Sequence, residues 1–146
     1  PALKPVLRAG LEAGGVTPRL VAEEFVYVDK NTVRMLGGVP AAVTAGIALS
    51  HGRVAVQVAN PEEALAAVTA GARIVMDDTG TIDVLRDINE ALSRNGFRDS
   101  VTLAFAGGVR PDDLSEIRAA GADVVDLGRA ILDAPLWDLH LEVEPA

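Results

Sequence analysis

Five short segments carry polar or glycine residues directly after an apolar run: Asp29-Lys30-Asn31-Thr32, Gln57 to Asn60, Asp77-Asp78-Thr79-Gly80, Ala106 to Pro111, and Leu127-Gly128-Arg129-Ala130. Their residue types suggest a site for an anionic small molecule. Lys30 is one of two lysines beside eleven arginines. An amine at a strand end suits anion binding or Schiff-base chemistry, the plain alternative being a solvated lysine. Asp77 could hold ribose hydroxyls, a Mg²⁺ ion or a developing cation, while Asp78 or Thr79 reads as the cap of the next helix. Gly107-Gly108 and Gly128 let backbone N–H groups approach a phosphate, with Arg129 adding a charge-assisted contact; tight turns and a surface arginine are the alternatives. Arg19, after Gly14-Gly15-Val16-Thr17-Pro18, could grip a carboxylate or lie free at the surface. His51, at a helix end, reads as a C-terminal cap, and His140 is isolated. No His, Cys and acid constellation marks a metal site or a catalytic triad.

The elements that must position these residues follow from periodicity. Apolar, β-branched runs at 25–28, 54–58, 73–76, 101–105 and 123–127 are near-continuous, as strands buried on both faces of a parallel sheet are. Helical patterns lie between them, at 39–50, from Asn60-Pro61-Glu62-Glu63 to Ala70, over 79–94, and from Arg110-Pro111 to Gly121; a further helix leads at about 2–12. Strand and helix in alternation predict parallel βα units, whose sites form at the carboxyl ends of the strands. Residues 135–145 are amphipathic, and Leu139, Leu141 and Val143 alternate as a short strand would. Ala70-Gly71-Ala72-Arg73-Ile74-Val75 matches Ala120-Gly121-Ala122-Asp123-Val124-Val125, which convergent βα architecture explains as well as duplication does.

Composition sets the limits. The 146 residues support a single domain, 1–146, but fall short of a complete eight-fold β/α barrel, which needs about 250 and rarely fewer than about 200. The expected fold is therefore α/β, with parallel βα repeats forming an incomplete, partial TIM-type barrel. Hydrophobic residues make up 49% and aromatic ones only 3%, so Ala, Val, Leu and Ile must fill the core. A net charge of −8 without a basic stripe argues against nucleic acid. The sequence shows neither a membrane-spanning run nor a signal peptide, and it has no cysteine, so a cytoplasmic protein is expected.

In order and spacing, these segments resemble the C-terminal barrel domain of quinolinate phosphoribosyltransferase, the carboxylating nicotinate-nucleotide pyrophosphorylase family. Gly14-Gly15-Val16-Thr17-Pro18-Arg19-Leu20 resembles its Gly-Gly-x-x-His-Arg-x motif. Asp29-Lys30-Asn31-Thr32 resembles its Lys-Asp-Asn-His, Val56-Gln57-Val58 its Val-Glu-Val, and Met76-Asp77-Asp78 its Leu-Asp-Asn. Ala106-Gly107-Gly108-Val109 resembles its Ser-Gly-Gly-Ile and also the version in ModD-like relatives. Leu127-Gly128-Arg129-Ala130 through Trp137-Asp138-Leu139 resembles its closing segment. Residues 105–135 also resemble the phosphate end of hexulose-phosphate synthase and decarboxylase barrels.

The resemblance implies phosphoribosyl transfer, in which phosphoribosyl pyrophosphate is attacked with Mg²⁺ present. Asp77 and Lys30 would be catalytic, Arg19, Asn31 and Gln57 would bind substrate, and Gly107, Gly108, Gly128 and Arg129 would hold phosphate. Departures fall at Pro18, Asp29, Thr32, Gln57 and Ala59, where the family carries His, Lys, His, Glu and an acid. Lys30, one position late, is expected on the opposite strand face. Phe105 stands where the family has a small polar residue, and is expected to fill space beside the glycine cradle. A charge-assisted bond contributes about 1.5–3 kcal/mol, so two lost cations predict a much weaker hold on a dicarboxylate. Relative to the family pattern, the leading domain and first strand are missing. That implies either a diverged enzyme acting on a phosphorylated or carboxylated small molecule within a homo- or hetero-oligomer, or a non-catalytic or split-enzyme subunit. A phosphosugar lyase is the third reading.

Overall fold

The computed structural model describes residues 3–49, 53–135 and 142. Five strands, β1 (Phe25–Val28), β2 (Arg53–Val58), β3 (Ile74–Asp77), β4 (Thr102–Phe105) and β5 (Val124–Val125), pair in chain order, every pair parallel. The helices are α1 (Lys4–Ala13), α2 (Lys30–Met35), α3 (Val39–Leu49), α4 (Pro61–Thr69), α5 (Ile82–Arg94), α6 (Leu114–Ala119) and α7 (Arg129–Leu132). The sheet does not close on itself among the described residues. Both expectations, α/β class and an incomplete barrel, are met.

The two faces of the sheet differ. Val56, Val58, Val75, Leu103 and Phe105 pack against α3, α4, α5 and α6 through Val43, Ala67, Leu85, Ile88 and Ile117, forming the main core. Ala55, Ile74, Met76, Ala104 and Ala106 point the other way, where Leu20, Val21, Phe25 and Val124 meet them. A doubly wound sheet carries helices on both faces. Among the described residues the core helices α3 to α6 all cover one face, and the second is the inner face of a barrel sector.

Local chemistry sets the element ends. Asn60 caps α4 by accepting the Glu63 N–H at 2.8 Å, and the Glu63 carboxylate accepts the Ala59 N–H at 2.8 Å, with Pro61 at the first helical position. Arg98 joins α5 to β5: its Nε donates to Asn89 at 2.7 Å, and its Nη2 to the Gly121 carbonyl at 2.8 Å and Asp123 at 2.7 Å.

Some expectations shift. A helix not expected from the periodicity, α2, follows β1 directly, because Asp29 accepts the Thr32 N–H at 2.7 Å and nucleates a turn. Helix α5 starts at Ile82 rather than Thr79, and its cap residue, Thr81, makes no side-chain cap bond. A 3₁₀ turn, Pro111–Asp113, comes between the glycine pair and α6. His51, His140 and nearly all of the 135–145 segment lie outside the described residues.

Candidate functional site

The carboxyl ends of β1, β2 and β3 bring three polar groups together, Lys30 and Gln57, both expected at the site, and Asp78. Helix α2 starts directly after β1, so Lys30 stands in its first turn. Its backbone N–H donates to Gln57 Oε1 at 2.8 Å. Gln57 lies on the inner face, next to Ala55 in the alternation of β2, and its Nε2 donates to Asp78 Oδ2 at 3.1 Å. The Lys30 amine reaches the same Asp78 oxygen at 3.5 Å. A carboxamide therefore bridges β1 to β3, accepting from one and donating to the other, and a carboxylate would lack the second bond. A cleft of ≈ 260 Å³ opens here, lined among others by Lys30, Arg34, Gln57, Glu63 and Asp78.

Two expectations are corrected at this point. Lys30 does not point away to the opposite strand face: it has left the strand, and its long side chain turns back to the site. Asp77 does not offer its carboxylate to the inner face. It pairs in register with Val58 and Phe105, both members of the helix-side core, so alternation directs it under the helices. It is completely buried. One oxygen accepts the Thr79 N–H at 2.9 Å, and Oδ2 has no partner. Burial is the main cause raising its pKa above the ordinary value, with the Asp78 charge adding to it and the bonds from Thr79 opposing. The carboxylate that does face the site is Asp78, read from sequence as a helix cap. Its signal was parity: it follows Met76 by two residues in a strand whose Ile74 and Met76 face inward.

Phe105 is likewise corrected. It is buried in the helix-side core rather than beside the glycines. Asn31 is an exposed residue of α2.

The glycine segments follow β4 and β5, adjacent strands, so their loops are neighbours. Gly107 (φ +103°) lies against the backbone of Gly80, leaving no room for a Cβ. The loops after β3 and β4 are joined there, with the Gly80 N–H donating to the Ala106 carbonyl at 3.1 Å. Gly108 (φ +81°) and Gly128 face open space. Arg129 is exposed and pairs with Asp133 at 3.4 Å. Arg19 lines a different cavity, ≈ 280 Å³, with Thr17, Asp126, Leu127 and Ile131 at the end of β5. The structure thus separates Arg19 from Lys30 and places it on the glycine side of the sheet.

Residues 1–142 match the family described as "Quinolinate phosphoribosyl transferase, C-terminal domain". The chain belongs to this family. A probable carboxylating nicotinate-nucleotide pyrophosphorylase of Methanothermobacter thermautotrophicus is 30% identical over 143 residues, 96% of this chain and 50% of the relative. Its counterpart in Archaeoglobus fulgidus is 27% identical over 130 residues, 89% of this chain and 50% of that one. The solved nicotinate-nucleotide pyrophosphorylase of Francisella tularensis superposes with a TM-score of 0.73 at 27% identity, covering 90% of this chain and 45% of that one. The chain therefore spans about half the length of the quinolinate phosphoribosyltransferase relatives it matches. No helix among the described residues is long and apolar enough to cross a membrane.

The Mg²⁺ implied by this family does not fit as a resident ion in the described residues. No three His, Cys, Asp or Glu side chains converge there, and Asp78 Oδ2 is already engaged by Lys30 and Gln57.

Proposed function

We propose that this chain supplies the strand-end half of a phosphoribosyltransferase-like site for a phosphorylated or carboxylated small molecule. The observation that supports it is the convergence of Lys30, Gln57 and Asp78 from three adjacent strand ends. Lys30, exposed and only loosely paired, binds the anionic group. Gln57 fixes the positions of Lys30 and Asp78. Asp78, rather than Asp77, stands where positive charge on a ribosyl ring would be stabilised. Gly108 and Gly128 leave room for phosphate beside β4 and β5, with Arg129 and Arg19 nearby on that side. Asn31 stays at the rim of the site.

Thermal denaturation tests this reading. Ligand at about a hundred times Kd adds about 2.7 kcal/mol of stability. Phosphoribosyl pyrophosphate with Mg²⁺, and inorganic phosphate at higher concentration, should raise the melting temperature, and Lys30→Ala should reduce the rise. No shift with either at millimolar concentration overturns the enzyme reading and favours a non-catalytic subunit.

The chain also works within an assembly, either with itself or with a chain that completes the barrel. The open sheet supports this, because an unpaired strand edge invites pairing. Light scattering should give a mass of at least twice 15.2 kDa, or a stoichiometric complex with such a chain. A clean monomer that ignores the completing chain overturns it.

A further inference from the structure

The cleft beyond the end of β2 has two walls of opposite charge. One wall is α2, where Lys30, Val33 and Arg34 share a face at three- and four-residue spacing. Val33 packs against the main core, so the two cations flank an anchored apolar side chain. The other wall is Glu63, in the first turn of α4, with Asp78 after β3. Val58 and Ala59 lie between the walls. Two of the four charges meet, Lys30 and Asp78 at 3.5 Å. The other two do not. Arg34 is exposed and has no ion-pair partner among the described residues. Glu63 accepts the Ala59 N–H through one oxygen and leaves the other free among the described residues. Arg34 and Glu63 line the same cleft without reaching each other, which leaves a gap between unlike charges. The fold gains little from this arrangement. Two cations four residues apart repel, and Lys30 stands at the helix end where the dipole disfavours a cation.

We propose that this cleft binds a small zwitterion of the aliphatic α-amino acid class, its carboxylate on Arg34 and Lys30 and its ammonium on Glu63. A guanidinium takes a carboxylate through two parallel bonds, and a carboxylate takes an ammonium through charge-assisted ones. A ligand with an acid alone meets Glu63 and Asp78 as like charges. A ligand with an amine alone meets Arg34 in the same way. A molecule carrying both satisfies both walls and adds no net charge to a chain that already stands at −8. Its aliphatic group rests against Val33, Val58 and Ala59, and a volume of ≈ 260 Å³ suits a molecule of a few carbons. The inference rests on reading these strand ends as the substrate site, and names the class of its carboxylated ligand.

Titration calorimetry with L-valine, isovalerate and isobutylamine tests it. The three share one branched apolar group and carry both charges, the negative one alone and the positive one alone. Valine should bind the wild-type chain about tenfold more tightly than either of the others. Arg34→Ala should weaken valine about tenfold and leave isobutylamine unchanged. Glu63→Gln, which keeps an acceptor for the Ala59 N–H, should weaken valine to a similar degree and leave isovalerate unchanged. Arg34→Lys, which keeps the charge without the fork, should recover part of the loss. No binding of valine to wild type, or valine bound no more tightly than both analogues, overturns the zwitterion. Equal valine affinity in wild type and both charge-removing variants overturns the cleft as its place. Inorganic phosphate serves as the control arm: a rise in melting temperature that is reduced in Lys30→Ala and kept in Glu63→Gln leaves the functional reading standing when the zwitterion fails.

Discussion

Asp77 and Asp78 are consecutive residues that face opposite sides of the sheet. Asp77 lies beneath the helices, level with Val58 and Phe105, with one oxygen unpartnered. Asp78 meets Gln57 at 3.1 Å and Lys30 at 3.5 Å. The buried carboxylate still serves the exposed one. By holding the Thr79 N–H at 2.9 Å, it shapes the turn on which Asp78 sits.

The burial of Asp77 gives a pH signature. Its pKa in the folded chain lies above the ordinary 3.8. Below 3.8 both states are protonated, and the folded state has its full advantage at this group. As pH rises, the unfolded chain ionises first, so stability falls until the folded group ionises as well. Asp77→Asn keeps the acceptor for Thr79 and removes the titration. Urea denaturation in steps from pH 4 to pH 7 should show the variant gaining on wild type as pH rises. Parallel curves would refute the buried, unpartnered carboxyl.

Gln57→Glu restores the family's acid and should destabilise this chain. The variant still accepts the Lys30 N–H, but it loses the donor to Asp78 and sets two carboxylates together. A hydrogen bond to a charged group contributes about 1.5–3 kcal/mol, so a loss of about 2 kcal/mol is expected at pH 7.5. Repulsion from Asp78 raises the new carboxyl's pKa, and the deficit therefore shrinks as pH falls to 4.5. A difference independent of pH would count against the bridge.

How much of this was legible in the sequence depends on parity. The strand runs and the Asn60-Pro61 helix start are local signals, and they located the sheet, α4 and the strand-end segments. Choosing Asp78 over Asp77 needs the strand's register, because a shift of one residue moves a side chain to the other face. Phe105 was misplaced for the same reason. Lys30 needed the knowledge that Asp29 nucleates a helix, which lets the next side chain turn back.

Arg98 should be the main polar tie between α5 and β5. Its guanidinium, 22% exposed, bonds Asn89, the Gly121 carbonyl and Asp123, and Asp123 also accepts the Leu103 N–H at 2.8 Å. Arg98→Ala leaves those acceptors short of donors at the last strand pair. Losses of this type fall at about 1–3 kcal/mol, and chemical denaturation should find the variant destabilised by that amount. Arg94→Ala, whose partner Glu90 lies on the exposed face of the same helix, should change stability by less than about 0.5 kcal/mol. Equal effects would show that Arg98 is only a surface charge.

Gly107 and Gly108 look alike in sequence, and the structure gives them different duties. Both have positive φ, +103° and +81°, which costs an L-residue about 1–2 kcal/mol. Only Gly107 also touches the backbone of Gly80, so a methyl group there must push the β3 and β4 loops apart. Gly107→Ala should therefore destabilise the chain by about 3 kcal/mol and disturb the turn that carries Asp78. Gly108→Ala should cost about 1–2 kcal/mol, with the Asp78 turn intact. If the open space at Gly108 is where phosphate enters, the milder variant should lose the thermal shift with inorganic phosphate while keeping most of its stability. The reverse order of stabilities would mean that the two loops are not in contact. A phosphate shift unchanged in Gly108→Ala would move the anion away from this turn, towards Lys30 alone.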